Sequence, residues 1–137
     1  ALNALCSGGV SNAVFVYDKN LGKMKANTSC GGNNLKYQFI DWRKPEKIMK
    51  LIYRSYAKNA GPVYVHCYNG VHASNAIAGV ALKQFCGWST EAASKYWDKH
   101  SDGNKGDVRK WSLRRIRIYK VDPALKLDPA DAKAFCP

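Results

Sequence analysis

Between Val63 and Phe85 the chain changes pattern twice in a short space, and few folds accommodate that order. Val63-Tyr64-Val65-His66-Cys67 is short, apolar and β-rich, as a buried strand of a parallel sheet reads. Tyr68 to Ala73 form a loop containing Gly70. A helix then begins at Ser74, a suitable cap. Its Ile77, Ala78, Val80, Ala81, Leu82 and Phe85 are apolar on most sides, so it is expected to be buried, with Gly87 as terminator. Upstream, Asn12–Tyr17 and Leu35–Ile40 read as strands. Asp18–Gly22 and Ser29–Asn34 read as turns. Pro45 opens a helix with Glu46 in its first turn and Ile48, Leu51, Ile52 and Tyr56 on one face, ended by Asn59-Ala60-Gly61-Pro62. Strand, helix, strand, loop, helix is a βαβ order, so the class is α/β, with a mostly parallel central sheet flanked by helices. The connection from Leu35 to Val63 is expected to be right-handed. Ser89 or Thr90 caps a further helix to Lys99, and Asp102–Gly106 is a turn. Lys110–Lys120 reads as a last helix, with a strand as the alternative. The tail with Pro123, Pro129 and Cys136 reads as extended and disulfide-pinned. With 137 residues, no internal repeat and no long linker, a single domain over 1–137 is expected.

The turn from strand to helix carries the chemistry. A strand end, a glycine-containing loop and a helix start aim several main-chain N–H groups and a positive dipole end at one spot, which suits an anion. The same field lowers the pKa of a thiol placed there, and Ser74 is positioned to donate to the Cys67 sulfur. His66-Cys67-x-x-Gly70-x-x-Ala73-Ser74 resembles the signature loop of the cysteine-dependent protein tyrosine and dual-specificity phosphatases, His-Cys-x5-Arg-Ser/Thr. His66, Cys67, Gly70 and Ser74 match it, and the resemblance extends roughly over Leu35–Lys120, closest to the small dual-specificity type. It implies Cys67 as nucleophile, Ser74 as stabiliser of the leaving thiolate, His66 as loop support, and Tyr68, Asn69, Gly70, Val71, His72 and Ala73 as the anion-binding loop. It also implies a general acid on a loop after an earlier strand, a place held by Asp41 in Ile40-Asp41-Trp42-Arg43-Lys44-Pro45; a plain cap for the Pro45 helix is the alternative reading of Asp41.

The family's arginine falls at Ala73. That arginine would grip a phosphoryl group in a bidentate fork, and alanine offers neither charge nor donor. An inactive or very weak phosphatase that binds phosphate-like anions is therefore expected. An active atypical enzyme with a substitute cation, such as His72, Arg109, Arg114 or Arg115, is the alternative. A metal held by His66, Cys67 and His72 is not expected, because neighbouring side chains on a strand point to opposite faces. No Gly-x-Ser-x-Gly elbow and no Walker or Gly-x-Gly-x-x-Gly loop occurs, so neither a serine hydrolase nor a nucleotide cofactor is indicated.

Twenty-two Lys and Arg against ten Asp and Glu give a net charge of +12, which attracts anions. Lys105, Arg109, Lys110, Arg114, Arg115, Arg117 and Lys120, interleaved with Trp111 and Tyr119, form a basic segment. It reads either as a polyanion-binding module or as a solvated helix face. The expected partners are a phosphorylated or sulfated small molecule or peptide, and a polyanion as a further option; a monomer is expected. The longest apolar-rich run, Ala76–Phe85, is broken by Lys83 and Gln84 and is too short to span a bilayer. Five widely spaced cysteines suit two disulfides, Cys6–Cys30 and Cys86–Cys136, with Cys67 free; other pairings and five reduced thiols remain open. That cysteine usage and the start at Ala1 suggest a secreted or periplasmic protein.

Overall fold

The computed structural model describes residues 1–17, 26–103 and 105–137. The expected turn at Asp18–Gly22 lies outside the described residues, as does Asn104 in the turn expected at Asp102–Gly106. The chain divides into two compact units, residues 1–66 and 67–137.

The first unit holds α1 (Leu2–Ser7), β1 (Asn12–Phe15), β2 (Ala26–Cys30), β3 (Asn33–Phe39), α2 (Glu46–Ala57) and β4 (Val63–His66). Its sheet runs β2-β3-β1-β4, with β1 parallel to both β3 and β4 and β2 antiparallel to β3. The fold is thus α/β with a mostly parallel sheet. Ala13, Val14, Phe15 and Val16 are all buried, as a strand with neighbours on both edges requires. β4 departs from expectation: it closes one edge of the described sheet, and Tyr64 is 44% exposed. β2 was not expected as a strand, because Asn27-Thr28-Ser29 carries no apolar alternation. The turn read at Ser29–Asn34 shrinks to Gly31-Gly32, both at positive φ (51° and 85°), the conformation a two-residue hairpin needs and glycine adopts freely. Cys6 bridges to Cys30, tying α1 to β2 over a small core of Cys6, Ala13 and Leu35.

The second unit holds α3 (Ala73–Cys86), α4 (Thr90–His100), α5 (Asp107–Ile118), a 3-10 turn (Pro123–Leu125) and α6 (Pro129–Phe135). Ser89 Oγ accepts from Ala92 N at 3.1 Å as the cap of α4, and Gly87 ends α3 at φ +67°. Gly79 lets α3 and α5 close up: a Cβ there would lie 2.7 Å from Ile116 Cδ1. The two polar residues that interrupt the apolar run of α3 are themselves buried. Lys83 Nζ donates to Ile116 O at 2.7 Å and Tyr119 O at 2.9 Å, a cation on the orphan carbonyls where α5 ends. Gln84 Oε1 accepts from Tyr119 Oη (2.5 Å) and Asp122 N (2.8 Å), while its Nε2 donates to Asp122 O (2.9 Å).

Segment 107–118 is helical, which removes the strand alternative. The tail is not extended. Asp122 caps the 3-10 turn and Asp128 caps α6, each through its side chain, with Pro123 and Pro129 at the first helical positions. Proline is pre-set for that position, so Asp-Pro marks a helix start here rather than an extended run. Cys86 bridges to Cys136. Among the described residues no helix is long and apolar enough to cross a membrane.

Candidate active site

Cys67 follows directly on β4 and Ala73 opens α3, so six residues, Cys67 to His72, carry the chain from strand to helix. Gly70 takes φ +68° inside that turn, a conformation costly for residues with a Cβ. Cys67 takes part in neither disulfide and is buried, at 8% exposure. Its Sγ lies 3.3 Å from Ser74 Oγ. Burial pushes the Cys67 thiol up. The Ser74 hydroxyl and the main-chain amides of Ser74, His72 and Gly70 bond the thiolate and outweigh burial, so the thiol sits below its ordinary value. The loop therefore turns alternate amides toward one sulfur.

What turns them can be traced. Val71 O accepts from Asn75 Nδ2 at 2.8 Å and from Ser101 Oγ at 3.3 Å. A trans peptide is planar and its N–H points away from its C=O, so drawing the Val71 carbonyl outward sends the His72 N–H inward. His72 O accepts from the Trp97 indole at 3.0 Å and from Ala76 N at 3.0 Å, which fixes the next peptide plane. Asn75 Nδ2 also donates to His100 O at 2.8 Å. The His72 ring stacks near Trp97, with Nε2 3.0 Å from Asp102 Oδ1. Asn75, Trp97, Ser101 and Asp102 were not expected at the site. Apart from Asn75 in the first turn of α3, they lie 25 to 30 residues from the carbonyls or rings they hold, so no local pattern announces them.

Of the other expected residues, Tyr68 is exposed and Ala73 is buried at 2% exposure. His66 ends β4 within an aromatic cluster of Phe15, Tyr37 and Tyr64, its Nε2 3.1 Å from Tyr37 Oη. Asp41 lies in the first unit, after β3, and does not cap α2. Its carboxylate takes Arg43 in a fork, Arg43 Nη2 to Oδ2 at 2.6 Å and Nε to Oδ1 at 3.0 Å, and accepts from Arg43 N at 2.9 Å. The Arg43 guanidinium holds that carboxyl below the usual carboxylate range, against an opposing push from burial.

No protein-family model and no curated protein matches the sequence. Solved structures do match. A human tyrosine phosphatase-like serine/threonine/tyrosine-interacting protein superposes with a TM-score of 0.56 at 15% identity, over 85% of this chain and 82% of that one. Tk-PTP in its active form gives 0.52 at 16% identity, over 84% and 82%. TpbA of P. aeruginosa gives 0.52 at 18%, over 89% and 74%. The fold is dual-specificity-phosphatase-like. Within that phosphatase-like fold, the turn from Cys67 to Ser74 is the one whose sequence resembles the signature loop.

Removing the Ser74 hydroxyl tests the account of the thiol. The pH midpoint of Cys67 alkylation by iodoacetamide is expected to move up in Ser74→Ala. An unmoved or lowered midpoint would refute the assignment. The linkage has a definite sign: a thiol depressed in the fold contributes stability above the unfolded thiol's pKa, and that contribution is lost as pH falls through the folded value.

Proposed function

We propose that the loop Cys67–Ser74 is an oxyanion receptor, and that this phosphatase-like protein is an inactive or very weak phosphatase whose ligand is a phosphorylated or sulfated small molecule or peptide. The observation that carries the reading is the convergence of the Gly70, His72 and Ser74 amides on a buried Cys67 outside both disulfides, beside an alanine where the signature loop it resembles has arginine. Amides held in place bind an anion without reorganising, whereas the missing charged fork would act most strongly on the transition state.

Two further observations favour weak turnover over full activity. A general acid must carry its proton, and the Arg43 fork keeps Asp41 ionised. His72 stands next to the missing arginine, but its Nε2 is engaged by Asp102, so a proton there is already matched by a carboxylate. In any residual reaction the Cys67 thiolate attacks phosphorus as the ester oxygen leaves with a proton from the small protonated fraction of Asp41; water then attacks phosphorus and displaces the thiolate, which Ser74 stabilises, releasing phosphate, while His66 supports the loop. We place the whole chain in one working domain, acting as a monomer in an oxidising compartment, secreted or periplasmic; the two disulfides are compatible with that setting.

Crystals soaked in sulfate test the receptor: a tetrahedral anion should occupy the loop above Cys67 Sγ, within hydrogen-bond reach of the amides. An empty loop with unmodified Cys67 would remove the anion reading. Hydrolysis of an aryl phosphate at the rate of an intact cysteine phosphatase would remove the weak-enzyme reading.

A further inference from the structure

The basic segment singled out in the sequence is one wall of a groove between α4 and α5, about 410 Å³ in volume. Arg109, Lys110, Arg114 and Arg117 line it from α5, and Lys105 lines it just before that helix. α4 contributes the hydroxyl residues Thr90 and Ser94. Lys110, Arg114 and Arg117 follow one another at four- and three-residue steps, so they form a single stripe along about 10 Å of helix.

The charges in this groove are largely uncompensated. Arg109 is held by Asp98, with Nε to Oδ1 at 2.7 Å and Nη2 to Oδ2 at 2.8 Å. Among the described residues no carboxylate pairs with Lys105, Lys110, Arg114 or Arg117. Like charges four apart on a helix destabilise it, so Lys110 and Arg114 sit side by side at a cost that a bound anion would relieve. A basic face kept for solubility needs no concavity; these cations converge on one.

The lining also selects among polyanions. Among the described residues no aromatic side chain lines the groove, and Trp111, at 54% exposure, is not part of it. A single-stranded nucleic acid would use rings to stack its bases. Among the described residues Leu113 is the one large apolar side chain in the lining, too little for a lipid tail or an apolar peptide. What is offered is guanidinium forks, ammonium groups and hydroxyls, which suit a ligand made of anionic oxygen throughout. We propose that the α4–α5 groove binds a chain of linked phosphates, inorganic polyphosphate, as a site separate from the Cys67 loop. The proposal does not depend on the reading of that loop.

Titration with inorganic polyphosphate, followed by calorimetry over a salt series, tests it. The parent should bind, with affinity falling steeply as salt rises. Lys110→Gln/Arg114→Gln should weaken binding about tenfold or more, through loss of two charge-assisted contacts, and flatten the salt slope by about two. Lys47→Gln/Lys50→Gln removes the same charge from exposed positions on α2 and should change little. Orthophosphate, which would compete only for the loop, should displace polyphosphate no better than an inert salt of equal ionic strength. Equal losses in the two double variants would overturn the proposal. So would displacement by orthophosphate, or equal affinity for a charge-matched heparin fragment or single-stranded oligonucleotide. Melting curves of both variants check that the fold is kept.

Discussion

Ala73→Arg raises turnover of an aryl phosphate by about 10²–10³-fold, the usual worth of one preorganised transition-state donor. The loop needs little else for this gain. Its amides already face Cys67, and the carbonyls behind them are already satisfied. Ala73 is the first residue of α3 and is buried, and Cα–Cβ bonds in a helix tilt toward its N-terminus, the end that adjoins the loop. The added guanidinium would also stabilise the Cys67 thiolate by charge. Steady-state hydrolysis of p-nitrophenyl phosphate by parent and variant checks the expectation, with circular dichroism to show the fold kept. No gain from a folded variant would sink the view that a lost arginine is what limits this loop.

Cys136→Ser lowers stability by about 4 kcal/mol, the chain-entropy value for a bridge closing 50 residues. The equivalent change at Cys30, where 24 residues are closed, costs less, about 3.5 kcal/mol. The ordering matters as much as the size. The longer bridge holds α6, whose own contacts include the edge-on pair Phe85–Phe135 and little buried surface: none of its residues is fully buried. Urea unfolding under non-reducing conditions measures both. A loss at Cys136 below about 1 kcal/mol would mean that Lys83 and Gln84, which fasten residues 116–125 to α3, already secure the C-terminal segment.

The parts of the fold that sequence made legible are those written in neighbouring residues. β1, α2 and α3 announce themselves by apolar runs or by a 3.6-residue period, and the Cys67–Ser74 turn by its motif. β2 stayed hidden because its residues are polar and its pairing depends on β3. α6 stays hidden because a tail with Pro123, Pro129 and Cys136 reads as extended, whereas Asp128 and Pro129 form a helix cap and first-turn pair. At the site, the thiol and its serine are seven positions apart in the chain, so both could be picked out together. The side chains that aim the amides come from α4 and the turn after it, and only the folded chain brings Trp97 and Ser101 to the loop. Lys83 and Gln84 teach the converse: polar residues that looked like interruptions of α3 are the anchors of residues 116–125.

The bracing of Val71 and His72 from behind has a consequence for how such a protein can change over time. On the proposed reading, a loop held by its own backing and not by its guest would capture an anion at little ordering cost. Capture and turnover would then be separable: one residue would silence the reaction and leave the receptor whole, and one residue would bring the reaction back.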